Sequence, residues 1–461
     1  MLRDLLPRYT TSTRYFGAPP FKFWCRCLPI RISPTTRFIV SCCLQTREGG
    51  GGSTSTRENA GDSPGDIFAE SLALHDKYRG KIEIHSKVPL STRHDLSLAY
   101  TPGVATVCRA IAKDRNLAYT YTIKRNTIAI VTDGSRVLSL GNIGGYAAIP
   151  VMEGKALIFK KLADIDAFPI CFEKYHTQLA DDIRNIAPVF GGIALEDIAA
   201  PRCFELEESL QGIGIPVMHD DQHGTAIVVL AALLNACKVT GRKFEDLRVV
   251  ISGAGAAGYA ITRMLAGIGY EPGLFPQAAD LVVCDRQGII HRGRSGLYTN
   301  KYKFIIAEET NRQGRSGTLA DAMKGADVLI GVSAPGIVTP DMVRSMHADP
   351  IIFALANPAP EIHPHDAARA GAAVVGTSRG EFPNQINYAL SFPGIFRGAL
   401  DACAIKISDE MKIAAVHALA GYVKRPRKDR ILPPVLNRGV VKAVARAVSE
   451  AAKRSGCARD L

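Results

Sequence analysis

Directly after the β-branched stretch 247–252 stands Gly253-Ala254-Gly255-Ala256-Ala257-Gly258, and little else in the chain narrows its fold as far. A strand that feeds G-x-G-x-x-G and then a helix makes a dinucleotide-binding turn. Gly253 allows the tight turn, and Gly255 lets the backbone approach a pyrophosphate. Gly258 lets helix and strand lie close, and the helix opened by Ala256 and Ala257 aims its N-terminus at the anion. A glycine-rich packing turn is the plainer alternative. Asp285 closes the next expected strand, 279–285, where an acid can bond ribose hydroxyls. It lies further from the glycines than the usual spacing of about 20 residues, and the Gly- and Pro-rich segment 269–279 accounts for the excess as a longer loop.

Further strands are expected at 327–333, 351–356 and 373–376, with helical patterns between them, which predicts a parallel, doubly wound α/β sheet. Helices are expected over 67–78, over the apolar stretch 224–238 and over 435–454. The organisation that follows is a leader and linker (1–65), a mixed segment (66–223) and a nucleotide-binding segment (224–461). The chain has 461 residues, 47% of them hydrophobic, enough for one large or two ordinary domains.

The net charge of +12 is unevenly spread. Residues 1–47 carry eight Arg or Lys against one acid, so the remainder is only mildly basic. No basic stripe interleaved with aromatics appears, so no nucleic-acid partner is required. The Arg-rich, hydroxyl-rich, acid-poor start reads as a mitochondrial-type targeting segment followed by a flexible Gly-Ser-Thr linker. A disordered tail on a cytosolic protein is the alternative. Seven scattered cysteines outside that segment form no C-x-x-C pair, against a disulfide framework or a zinc knuckle. No uninterrupted apolar run of 18 residues predicts a membrane span.

Two acidic pairs stand out. Glu196-Asp197 lies in G-G-I-A-L-E-D-I, and Asp220-Asp221 in H-D-D-Q-H-G-T-A. Oxygen ligands of this kind suit Mg²⁺ or Mn²⁺. The apolar stretch 215–218 leads into the second pair, as a strand ending in carboxylates at an interdomain cleft would. Surface acids capping helices are the alternative, and the flanking His219 and His223 open a weaker zinc reading. On the residues alone, Tyr100 before Thr101-Pro102-Gly103 is a turn-packing tyrosine and Lys155 a solvated lysine.

A-Y-T-P-G-V-A at 99–105, V-T-D-G-S-R-V-L-S-L-G-N-I-G at 131–144, P-V-M-E-G-K at 150–155, the two acidic motifs, A-N-P-x-P-E-I at 356–362 and F-P-N-Q-I-N at 382–387 occur in order. From about residue 70 onward the chain resembles the malic enzymes of the small bacterial type. The resemblance implies an N-terminal α/β substrate and metal domain, then a Rossmann-like NAD(P)-binding domain with C-terminal helices, in a homodimer. It implies oxidative decarboxylation of (S)-malate to pyruvate and CO₂, with NAD or NADP and Mg²⁺ or Mn²⁺. Malate would lose a hydride from C2, the metal would act as electron sink while CO₂ leaves, and the enol would then be protonated at carbon.

By the same resemblance Lys155 is the base, with a pKa depressed by burial beside a cation, and Tyr100 the acid. Glu196, Asp197 and Asp221 bind metal, and Asp220 orients Lys155 or a ligand. Arg136 holds a substrate carboxylate, and Asn357 and Asn387 bond substrate or nicotinamide. One departure is Tyr388, where the small type usually carries asparagine. Asp285 favours NAD, since its carboxylate repels a 2′-phosphate. Arg286, with Arg292 or Arg294, argues the other way, and Asp285 could simply cap the loop to Gly288. A malolactic-type or oxaloacetate decarboxylase and a non-catalytic dinucleotide-binding regulator are the competing functions.

Overall fold

The computed structural model describes residues 64–460, apart from Ser139, Lys174 and Tyr175. The expected leader and nearly all of the linker lie outside the described residues. Residues 64–461 form one unit holding two sheets.

The first sheet contains β1 (Thr127–Thr132), β2 (Asp166–Cys171), β3 (Gly192–Leu195) and β4 (Val217–His219), in the order β2-β1-β3-β4 and parallel throughout. Parallel strands are covered on both faces, and β1 and β3 are accordingly buried along their whole length. The crossover from β1 to β2 is the helix Gly144–Ala163, which carries Lys155, and the helix Arg202–Leu210 joins β3 to β4.

The second sheet contains β5 (Arg248–Ser252), β6 (Asp280–Asp285), β7 (Gly288–Ile289), β8 (Val328–Gly331), β9 (Ile351–Ala354) and β10 (Val374–Thr377), in the order β10-β9-β8-β5-β6-β7. All neighbours are parallel except β7, which pairs antiparallel with β6 as the second arm of a hairpin. That short edge strand was not expected, because two residues carry no readable period. The other strands fall where alternation with helices placed them, with ends that differ by one or two residues.

The sheets are joined by continuous helix. Asp220–Gly224 form one turn of π-helix that runs straight into the α-helix Thr225–Thr240, which takes in nearly all of the apolar helix expected over 224–238. By length and composition 220–240 could cross a bilayer, but most of it is buried in this fold. Asn235, wholly buried, donates from Nδ2 to the Ala420 and Ile431 carbonyls, both at 2.9 Å, and so ties this helix to the C-terminal segments. The C-terminal helices reach back to the first sheet. Phe159 packs edge-on against Phe392 and Phe396, with ring centroids 4.7 and 5.5 Å away. Before β1, residues 64–103 behave differently. The helix Pro64–Tyr78 and the segment after it leave Ile67, Phe68, Leu72, Ile84 and Leu90 exposed.

The dinucleotide turn depends on Gly258 having no side chain: a Cβ there would overlap the Gly253 carbonyl oxygen, which is backbone and cannot step aside. Gly258→Ala should therefore push the helix Ala256–Ala266 off β5. We expect a loss of about 1–3 kcal/mol in chemical unfolding, together with weakened NAD⁺ binding. Unchanged unfolding and unchanged affinity would mean that the helix does not need this close approach.

Candidate functional site

Parallel strands end on a common edge, and in α/β folds ligands bind outside those carboxyl ends. Here that edge is acidic. β3 runs into Glu196 and Asp197, β4 into Asp220 and Asp221, and β1 into Asp133. One oxygen each of Glu196, Asp197 and Asp221 can be chosen so that all three lie within 4.8 Å of one another. The backbone draws the pairs together: Asp197, at φ 53°, donates its N–H to Asp221 Oδ2 at 2.9 Å. The π-turn sets the two aspartates apart in role. Asp220 turns to Lys155 while Asp221 joins Glu196 and Asp197, and π-turns of this kind recur at functional sites. Gly224 ends that turn because a Cβ there would overlap Asp220 Oδ1.

Lys155 is buried, and its Nζ donates to Glu196 Oε2 and Asp220 Oδ2. The Tyr388 and Phe392 rings cover it, with centroids 4.5 and 4.6 Å from Nζ. Burial by itself lowers an ammonium pKa, but the adjoining Asp220 and Glu196 charges outweigh it and hold Lys155 well above its ordinary value. Two carboxylates engage it at once, whereas the depressed value expected above is that of a lysine beside a bound cation. Burial and the neighbouring Asp221 charge push Glu196 far up and Asp197 up to about 7, while burial takes Asp220 to about 6. Asp197 Oδ2 and Asp220 Oδ1 are buried without a hydrogen-bond partner. Oxygen donors packed this closely, with unsatisfied atoms among them, fit a hard divalent cation.

A further carboxylate braces the site and was not foreseen. Glu207 accepts from the His219 N–H at 2.9 Å and contacts His223 Nε2 at 3.1 Å. In the acid-rich run E-L-E-E-S it reads as a solvated helix face, and only packing reveals it as buried. Burial holds both histidines below their ordinary pKa. Neither joins the close-packed carboxylate group, so the zinc reading finds no ligand set among the described residues. Phe392 was likewise missed, since a phenylalanine at a helix start signals only core.

At the second sheet, Gly255 caps the helix Ala256–Ala266 without any side-chain cap, and a Cβ on it would point into open space. That leaves free N–H groups and room for an anion. Glu361, from the A-N-P-x-P-E-I motif, is buried and accepts from the N–H groups of Ser333 and Ala356 at 2.9 and 3.0 Å. It thereby joins the loops leaving β8 and β9. Asn357 is exposed on the second loop, with its Oδ1 accepting from Ser378 Oγ at 2.9 Å. Asn387, half-buried beside Tyr388, caps the backbone through Ala389 N–H.

Asp285 sits at the end of β6, but its carboxylate is engaged. Arg294 binds it through both nitrogens at 2.8 and 2.6 Å, Lys303 at 2.7 Å and the Gln287 N–H at 2.9 Å. Burial works against ionisation, yet these bonds hold the group down at about 2. Arg286 is exposed. Arg136 is exposed at the rim, where its charge bears on Asp197 and its N–H bonds the Asp197 carbonyl at 2.9 Å. Lys155, Glu196, Asp197, Asp220 and Asp221 therefore meet at one place. Tyr100 does not join them: it is 66% exposed, and its side chain makes no hydrogen bond or ring contact among the described residues.

Residues 79–184 match the family model described as malic enzyme, N-terminal domain, and 222–453 the one described as malic enzyme, NAD binding domain. The NAD-dependent malic enzyme of Geobacillus stearothermophilus is 52% identical, over 82% of this chain and 78% of its own length. The bifunctional malic/malolactic enzyme of Bacillus subtilis is 50% identical, over 85% and 94%. Other relatives are named NADP-dependent. The crystal structure of the NAD-dependent malic enzyme of Thermotoga maritima superposes with a TM-score of 0.78 at 45% identity, covering 82% of this chain and 98% of that one.

Glu196, pushed far up, and Asp197, held up near 7, must shed protons before they take a cation. Mn²⁺ affinity should therefore tighten as pH rises through neutrality, up to roughly tenfold per unit for each proton displaced. Calorimetry in two buffers of different ionisation enthalpy should read at least one proton released at neutral pH. A flat affinity with no proton release would show that these groups are already ionised.

Proposed function

The chain belongs to the malic enzyme family, and from that premise we propose how it carries out the oxidative decarboxylation of malate to pyruvate. The observation that carries the reading is a buried lysine clamped between two carboxylates, one of which also belongs to a three-carboxylate group. Glu196, Asp197 and Asp221 would hold Mg²⁺ or Mn²⁺, which when bound supplies the electron sink for decarboxylation. The turn Gly253–Gly258 and its helix would hold the NAD or NADP that accepts the hydride.

Lys155 takes the proton from the C2 hydroxyl. It is able to do so once Glu196 is drawn to a cation and no longer holds the ammonium protonated. Asp220 keeps Nζ in place, and the Tyr388 and Phe392 rings keep water from it. Arg136 pairs with a substrate carboxylate from the rim. Asn357 and Asn387 present amides to substrate or nicotinamide, and Tyr100 returns the proton to carbon. Domain boundaries at 66–223 and 224–461 remain part of this reading.

The exposed apolar residues of 64–103 support a homodimer, since a second copy would cover them and seat the arm that carries Tyr100. A monomer in solution scattering at micromolar concentration would count against it. Residues 1–47 read as a mitochondrial-type import signal, with a cytosolic protein as the alternative. Fusion of that segment to a fluorescent reporter decides between them.

The purified chain with malate, Mn²⁺ and NAD⁺ or NADP⁺ should yield pyruvate, CO₂ and reduced cofactor. The name of the Bacillus relative favours testing lactate too: lactate without net reduced cofactor selects the malolactic reading. Lys155→Ala should lower turnover by roughly 10²- to 10⁴-fold. Near-native turnover would remove Lys155 from the chemistry.

For the coenzyme we favour NAD, on Asp285 at the end of β6. Because Arg294 and Lys303 already engage that carboxylate, its repulsion of a 2′-phosphate is blunted. Asp285→Asn should free both cations and shift kcat/KM towards NADP⁺ by roughly tenfold or more. A native preference for NADP⁺ would overturn the lean towards NAD.

A further inference from the structure

Apart from the carboxylate site, the last turn of the helix Gly144–Ala163 and the helices Phe392–Asp401 and Arg438–Arg454 enclose a cleft of about 720 Å³. That is the volume of a small-molecule site. Its walls are cationic. Arg438, Lys442 and Arg446 stand four residues apart along one face of the last helix, and Lys161 lines the cleft from another helix. All four are exposed, and their side chains make no hydrogen bond or ion pair among the described residues.

The acids of the cleft do not offset them, because they are already engaged. Asp164 pairs with Lys160 at 2.6 Å, and Asp401 with Arg397 at 2.8 Å. Arg397 is held further by Asn126 Oδ1 at 2.6 Å. Like charges at i and i+4 weaken a helix, so the row 438–442–446 runs against the helix's own preference. An ordinary solvated face carries both signs and lies on a convex surface. Here unpaired cations of one sign line a concavity.

The walls also lead to the chemistry. Lys155 lies about one and a half turns before Lys160 and Lys161 on the same helix. The helix that ends at Asp401 begins at Phe392, whose ring centroid is 4.6 Å from Lys155 Nζ. Two of the three helices that form the cleft thus also seat the lysine.

We propose that this cleft is an effector site for a small polyanion, a metabolite bearing two or more phosphate groups, and that its occupancy changes turnover through the helices that hold Lys155. Planar guanidinium groups at Arg438 and Arg446 suit bidentate phosphate contacts, and Lys161 and Lys442 supply further charge. The regulatory half rests on the function proposed above, whereas the binding half does not.

The probe is inorganic tripolyphosphate, titrated by calorimetry into the full chain with EDTA and saturating NAD⁺, so that neither metal nor the dinucleotide turn competes. Saturable binding near one per chain is expected, weakened roughly tenfold or more in Lys442→Glu/Arg446→Glu. No binding, or binding undiminished in that variant, overturns the site. Lys442→Glu alone converts the like-charge row into opposite-charge pairs. It should unfold at the same or a higher temperature than the native chain, which separates lost binding from misfolding. With malate, NAD⁺ and free Mn²⁺ held constant, tripolyphosphate should change native turnover by about twofold or more and leave the double variant unchanged at its native-like basal rate. Binding without any change in turnover overturns the coupling. A chain with no malate turnover at all refutes the proposed reaction, while calorimetry still reads the cleft.

Discussion

Two strand ends deliver carboxylates to one buried ammonium, and much of the molecule is arranged around that meeting. Glu196 follows β3, Asp220 follows β4, and Lys155 rises from the helix that crosses between β1 and β2. Burying such charges costs several kcal/mol per ion before their attraction offsets it, and removing one partner from a buried pair typically costs about 3–5 kcal/mol. The arrangement is poor economy for stability alone. It makes sense as a device that holds a lysine in position while leaving its protonation sensitive to whatever else engages Glu196.

Support for this meeting comes from outside the acidic motifs. Glu207 fixes the end of β4 through the His219 N–H. Tyr388 and Phe392, from the C-terminal part of the chain, roof Lys155. The π-turn at Asp220–Gly224 is continuous with the helix Thr225–Thr240, so the carboxylates sit at one end of a buried rod, and Asn235 anchors that rod to the C-terminal segments. Glu361 plays a comparable part at the second sheet, where it binds the loops after β8 and β9 to each other.

Much of this was legible from residues. The glycine run, its strand and its helix stand where the pattern put them, because a dinucleotide turn needs glycines at fixed offsets and leaves a signature in a single window. The acidic pairs were legible as ligands because adjacent carboxylates after an apolar run are unusual. Glu207 and Phe392 were not, since each takes its meaning from neighbours far away in sequence. Asp285 was legible as a position but not as a charge. Its partners Arg294 and Lys303 lie in the following loop and helix, and their direction is set by the β6–β7 hairpin and the fold beyond it.

By itself the sequence determined the class of fold, the family resemblance and the list of groups able to do the chemistry, because periodicity, glycine spacing and acidic doublets are local properties of the chain. Only the tertiary structure decided which of those groups meet. It joined Lys155 to Asp220 and Glu196, put the aromatic ring of Tyr388 over the ammonium and left Tyr100 exposed. The physical reason is that charge and reactivity depend on distances of a few ångströms in a medium of low dielectric. Those distances are set by strand register and helix packing between segments that lie tens to hundreds of residues apart.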